Sequence, residues 1–157
     1  MRQAVYLDYN ATAPVRPQAA DAVARALATV GNPSSVHGFG RAARRLMEDA
    51  RDRVAALVGA RPDEVIFTSG GSEANALALG GTRAAQVLVS AVEHESVLRN
   101  APQAELVPVD GHGVIDLAAL ADRLARRAGE TILLSLMLAN NETGVVQPVA
   151  EAAARHA

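Results

Sequence analysis

The stretch Val65-Ile66-Phe67-Thr68-Ser69-Gly70-Gly71-Ser72-Glu73-Ala74-Asn75 decides the fold. Its three apolar residues read as a strand, its glycine pair as a tight connection, and Ser72 opens a helix over about 73–79. Strand, glycine turn and helix form the repeating unit of a parallel sheet covered by helices. Such a sheet binds ligands beyond the carboxyl ends of its strands, so this stretch is also the first place to look for chemistry. Free N–H groups at a helix start attract phosphate, two glycines let the backbone come close, and Ser72 adds a hydroxyl. A plain serine cap after a glycine turn accounts for the same residues, and short glycine-rich motifs often mean no more than that.

The alternation continues downstream. Strands are predicted over 87–92, 106–109 and 132–138, the last strongly apolar. Helices are predicted over 96–100, over 117–128 with Asp116 as N-cap, and over 149–157 after Pro148. Upstream, residues 1–16 read as an extended arm. Residues 17–30 carry Ala20, Val23, Leu27 and Val30 at helical spacing. A longer helix has Phe39, Ala43, Leu46, Ala50, Val54 and Leu57 on one stripe and Gly59 at its stop. The predicted organisation is an arm (1–16) followed by one incomplete large domain (17–157). A sheet of four strands leaves open edges that invite aggregation or a partner. The last helix has no capping glycine and no following strand, so the chain reads as interrupted.

Composition narrows the function. Half of the 157 residues are hydrophobic, enough for a buried core, but only two Phe and two Tyr contribute aromatic mass. The net charge of −2 gives no electrostatic reason to expect nucleic acid or an anionic membrane surface. No apolar run is long enough to span a bilayer, and Met1-Arg2-Gln3 does not begin a signal peptide, so a cytoplasmic protein is the default. All 15 basic residues are Arg. Arg stays protonated and cannot form a Schiff base, whereas a Lys amine can. With no Cys, the chain has no disulfide, thiolate metal site or thiol nucleophile; no metal site is predicted.

Two further clusters follow predicted strands. In Val92-Glu93-His94-Glu95-Ser96, an imidazole could stack on a flat ring or move protons; alternatively it is a loop histidine bonded to a neighbouring carboxylate. In Ala139-Asn140-Asn141-Glu142-Thr143-Gly144, side-chain amides could bind a phenolic or carboxylate oxygen; alternatively Asn and Gly make a turn. Together, a phosphate cradle, a ring-facing imidazole and an amide suit a phosphorylated heteroaromatic ligand. A dinucleotide fold fits less well, because Gly70-Gly71 lacks the full glycine spacing and no acidic residue closes the next strand.

These motifs occur in order with Leu7-Asp8-Tyr9-Asn10-Ala11-Thr12-Ala13-Pro14 and Gly31-Asn32-Pro33-Ser34-Ser35-Val36-His37. Together they resemble the amino-terminal part of a cysteine desulfurase of the NifS/IscS type, in the class V aminotransferase superfamily, over essentially the whole chain. The resemblance implies an α/β fold: a partial pyridoxal-phosphate (PLP)-dependent transferase fold of type I, truncated, with a mostly parallel sheet and flanking helices. It implies PLP as cofactor, L-cysteine and a sulfur-acceptor protein as partners, and a homodimer. By resemblance, Gly71 and Ser72 would hold the cofactor phosphate. His94 would stack on the ring and act catalytically, and Asn141 would contact the phenolic oxygen and the substrate carboxylate. Asn10, Thr12 and the 32–37 loop would border the substrate entrance.

There are departures from the pattern. Ala13 stands where relatives often carry Thr, and Gly71-Ser72 replaces a frequent Ala-Thr pair. The family's pyridine-nitrogen Asp, its Gln, its Schiff-base Lys and its sulfur-accepting Cys have no counterpart here. The resemblance therefore implies weak PLP binding and negligible turnover by this chain alone. Two alternatives stand beside it: a non-catalytic interaction partner or split subunit of a full-length relative, and a fragment of another class V enzyme such as a selenocysteine lyase.

Overall fold

The structure, a computed structural model, describes residues 4–155. The readings of Met1-Arg2-Gln3 and of helix over 156–157 lie outside the described residues. The chain divides into two compact units, Met1–Phe67 and Thr68–Ala157.

In the first unit, helix α1 spans Pro17–Leu27. Pro17 suits a first turn, where its missing N–H has no helical acceptor to lose. The helix stops short of the predicted residue 30. Thr29 donates its N–H to Ala26 O and its hydroxyl to Arg25 O, which tightens and closes the last turn. Helix α2 spans Gly38–Val58; His37 caps its start, with Nδ1 accepting the Gly40 N–H at 3.3 Å. Gly59 ends it at φ +69, a left-handed cap that a side chain would strain. The Asn-Pro-Ser-Ser loop folds tightly against the first turn of α2. A Cβ on Gly40 would lie 2.3 Å from Ser35 O and 2.7 Å from Asn32 O. A 3-10 turn, Pro62–Glu64, follows.

The predicted strand over 65–67 does not form one. Its backbone is extended at Val65 (φ −94, ψ 121), but a strand needs a ladder partner. Here the Val65 carbonyl accepts instead from the Arg51 guanidinium, whose carbon also sits 5.0 Å from the Phe67 ring centroid. Ile66 remains 69% exposed.

The second unit holds helix α3 (Gly71–Gly81), strand β1 (Gln86–Ser90), helix α4 (Glu95–Asn100), strand β2 (Glu105–Val107), helix α5 (Leu117–Ala125), strand β3 (Ile132–Ser135) and helix α6 (Val149–Ala154). The three strands make one parallel sheet in the order β2-β1-β3, one strand fewer than the sequence predicts. Leu88 pairs with Glu105 on one side and Leu134 on the other. β1 is flanked by strands on both sides and carries the fully buried Leu88, Val89 and Ser90. Leu88 joins Val107, Ile115, Leu120 and Ala152 in the core, with Leu124, Ile132, Leu134 and Leu136 packed around them. Asp116 caps α5 as predicted, accepting the N–H groups of Ala118 and Ala119 at 2.9 Å each.

This topology places the site. The chain leaves β1, runs through α4 to β2 on one side, then returns through α5 to β3 on the other. The β1/β3 boundary is therefore the switch point of the sheet, where an open α/β fold leaves a crevice at the carboxyl ends of its strands.

Candidate functional site

The segments that follow β1 and β3 meet at that boundary. They enclose a hollow of about 270 Å³ lined by Val92, Glu93, His94, Glu95, Asn140, Asn141 and Glu142. Two predicted site residues, His94 and Asn141, are thus brought together from segments distant in sequence. A larger hollow of about 430 Å³ includes Ile132 and the C-terminal end of α5. It lies at the amino end of β3, away from the crevice, and its polar lining is Arg127, Glu130 and Arg155, with none of the predicted site residues.

The two adjacent asparagines divide the work. Asn140 is the pin: its Nδ2 donates to Val92 O at 3.0 Å, and its Oδ1 accepts the N–H groups of Glu142 and Thr143 at 2.9 Å. Gly144 at φ +75 completes the turn and donates its N–H to Asn140 O. Asn141 is left on the rim, its Nδ2 donating to Glu142 Oε1 at 2.8 Å. Of the two alternatives read from the sequence, the turn is present, and Asn140 builds it. A second tie joins the strand ends, where Ser135 Oγ donates to Glu93 Oε1 at 3.1 Å.

His94 is the N-cap of α4. Its Nδ1 accepts the Ser96 N–H at 3.1 Å and lies 2.8 Å from Ser96 Oγ. Asn75, on α3, donates from Nδ2 to the same Ser96 Oγ at 2.8 Å. Asn75, Ser96, Glu93, Ser135 and Asn140 were given no individual role by sequence reasoning. Their signal was only that polar side chains recur beside the strand ends.

Gly71 and Ser72 begin α3 and do not line the hollow. The helix opens two residues earlier than the sequence suggests, with Gly70 as N-cap, Gly71 first and Ser72 second. The first bond back to Gly70 O comes from Ala74, so the N–H groups of Gly71, Ser72 and Glu73 precede any helical acceptor. A Cβ built on Gly70 or Gly71 meets nothing within 4 Å, so the space beside these amides is open. Glu73 turns back, and its Oε2 accepts both the N–H and the hydroxyl of Ser69 at 2.6 Å. These bonds, the hydroxyl's first, hold its carboxyl below the usual value. α3 packs along α4, and the Asn75–Ser96 bond ties the helix that carries Ser72 to the cap that holds His94.

Asn10 and Thr12 belong to the first unit. There Thr12 donates its N–H to Asp8 O, and its carbonyl accepts the Tyr6 hydroxyl at 3.0 Å. Asn10 is exposed in the turn between them.

Comparison with known proteins gives the family and the fold. The sequence profile of the Aminotransferase class-V family matches residues 5–157. The chain belongs to the class-V aminotransferase family. Among relatives of this family, cysteine desulfurase IscS of Dictyoglomus turgidum is 41% identical over 165 aligned residues, covering 96% of this chain and 41% of that protein. A cysteine desulfurase of Cereibacter sphaeroides is 43% identical over 160, covering 92% of this chain and 41% of its own length. Of solved structures, a NifS-like protein from Rickettsia africae superposes with a TM-score of 0.86 at 32% identity, covering 96% of this chain and 44% of the other. DndA from Streptomyces lividans superposes at 0.72 with 38% identity, covering 96% and 46%. The chain thus spans about two-fifths of the length of the curated class-V relatives it matches, and its fold is theirs over that part.

Proposed function

We propose that this chain is the part of a PLP-dependent cysteine desulfurase that receives the cofactor's phosphate, ring and phenolic oxygen. The observation that carries the reading is the meeting of His94 and Asn141 in one hollow at the sheet's switch point. The residues fit the group. Open space beside Gly70 and Gly71, unspent N–H groups at the start of α3 and the Ser72 hydroxyl suit a dianionic phosphate. A planar imidazole and a side-chain amide suit a hydroxylated heteroaromatic ring.

The reaction of the complete enzyme would be L-cysteine plus an acceptor thiol giving L-alanine and a persulfide, with the sulfur going to iron–sulfur or thio-cofactor assembly. PLP, when bound, would supply an electron sink for negative charge developing on the substrate carbon. This chain's own contributions are more limited. Gly71 and Ser72 anchor phosphate. His94 covers the ring and holds a proton on the imidazole. Asn141 offers its amide to the phenolic oxygen and the substrate carboxylate. Asn10 and Thr12 are assigned to the substrate entrance. A homodimer and a sulfur-acceptor protein are the partners of the whole enzyme, and residues 17–157 make up an incomplete PLP-binding domain.

Amide chemical-shift mapping tests the assignment. On addition of PLP, the largest changes are expected at Gly71, Ser72, His94 and Asn141. Changes centred on the larger hollow beside Ile132, with these four silent, would overturn it.

A further inference from the structure

We infer that Asn75 and Ser96 are positioning residues that fix the tautomer of His94, so that its neutral ring carries the proton on Nε2. The inference rests on the proposed cofactor-facing role of His94 for its functional meaning, but not for its geometry.

Three contacts carry it. The Ser96 N–H lies against His94 Nδ1 at 3.1 Å. An amide N–H can only donate, so Nδ1 must present a lone pair, and a hydrogen there would face another hydrogen. The Ser96 hydroxyl, 2.8 Å from the same Nδ1, could by itself point either way. Once Nδ1 is an acceptor, the hydroxyl can only donate to it. The amide Nδ2 of Asn75, 2.8 Å from Ser96 Oγ, also can only donate, so it occupies an oxygen lone pair and reinforces that direction. The relay therefore runs one way, from Asn75 to Ser96 to His94. Two donors converge on one ring nitrogen and hold the ring at the start of α4.

The consequence for chemistry is directional. With Nδ1 engaged as an acceptor, the neutral imidazole can donate from Nε2 and has no lone pair there. His94 is thus set in its resting form as a proton donor at Nε2, and can accept a proton there only after giving that one away. A freely rotating neutral histidine favours Nε2–H only modestly, and the two donors at Nδ1 deepen that preference. Asn75 and Ser96 lie 21 residues apart on different helices, so the bias depends on how α3 seats against α4.

Long-range 1H–15N correlation spectra of the histidine-labelled protein test this with no PLP added. His94 is assigned by loss of its signals in His94→Ala. His37, whose Nδ1 accepts the Gly40 N–H at 3.3 Å, is the internal reference. The wild type is expected to show predominantly Nε2–H at His94. Ser96→Ala should raise the Nδ1–H to Nε2–H ratio several-fold, up to about tenfold, the equilibrium equivalent of one net hydrogen bond. Asn75→Asp, which can only accept from Ser96, should raise it further by turning the hydroxyl away, and Ser96→Thr should restore the wild-type ratio. His37 should not change in any variant. A predominantly Nδ1–H ring in the wild type overturns the inference with no variant needed. So does a ratio that moves less than about twofold in both Ser96→Ala and Asn75→Asp. Loss of the cofactor reading would show separately, as PLP binding indifferent to His94→Ala, and would leave the tautomer result untouched.

Discussion

At the first turn of α3, one carboxylate links local chemistry to stability. Glu73 is held below its ordinary value of 4.5 by the Ser69 hydroxyl and then the Ser69 N–H. A carboxyl lowered in the folded state contributes stability that is present above its unfolded value and is lost as pH falls through the folded one. The melting temperature of the wild type should therefore exceed that of Glu73→Gln at pH 7, and the gap should close as pH drops below about 4.5. A gap independent of pH would show that Glu73 acts through packing alone. Asp110, lowered by the Val114 and His112 N–H groups, also loses its contribution in acid, below its ordinary value of 3.8, so only the difference between the two proteins isolates Glu73. Single residues also mark where sequence reading ran out. Asn140 and Asn141 are chemically identical and both line the hollow, and only the turn geometry makes Asn140 the pin as well. His94 was visible as an imidazole near a strand end; the Asn75–Ser96 relay was not, because it joins residues on two helices. Gln147 was passed over entirely. It is buried, its Oε1 accepts the Ile115 N–H, and its Nε2 donates to Gly113 O, closing the loop before α5.

At the scale of elements, the helices were legible because their signals are local. Pro17, Asp116 and Gly59 mark ends by their own backbone and side-chain chemistry, and the structure uses each as read. Strands are different, since an apolar run becomes a strand only through a partner elsewhere in the chain. Residues 65–67 have the composition but spend a carbonyl on Arg51, whereas β1 finds a partner on either side. Helix α5 offers a graded test. Asp116→Ala removes a cap to two N–H groups and should cost about 1 kcal/mol in urea unfolding. Leu120→Ala empties a fully buried position in the core and should cost about 2–5 kcal/mol. If the cap variant proved the more damaging, α5 would be held by its start and not by its packing.

At the scale of the molecule, the chain pairs the proposed half-site with a sequence that holds neither Lys nor Cys. Five ordered motifs were legible as a family pattern because each combines a glycine, a turn or a helix start with one functional side chain. Their relation in space was not, because it depends on the β2-β1-β3 order, which returns the chain across β1 and makes the switch point. With neither Lys nor Cys, these 157 residues can supply no Schiff-base amine from a side chain and no thiol to take up sulfur. Alone, the chain should release no alanine from L-cysteine in the presence of PLP, and clear release in an amino-acid assay would contradict that. The central claim, that this chain holds phosphate and ring but cannot tether the cofactor, is tested most directly by an equilibrium PLP titration followed by both affinity and visible absorbance. The account predicts weak saturable binding, lowered about tenfold by Ser72→Ala through loss of one hydrogen bond to a charged group, and no absorbance band of a lysine-linked cofactor. Affinity unchanged in both Ser72→Ala and His94→Ala, or the appearance of such a band, would contradict it.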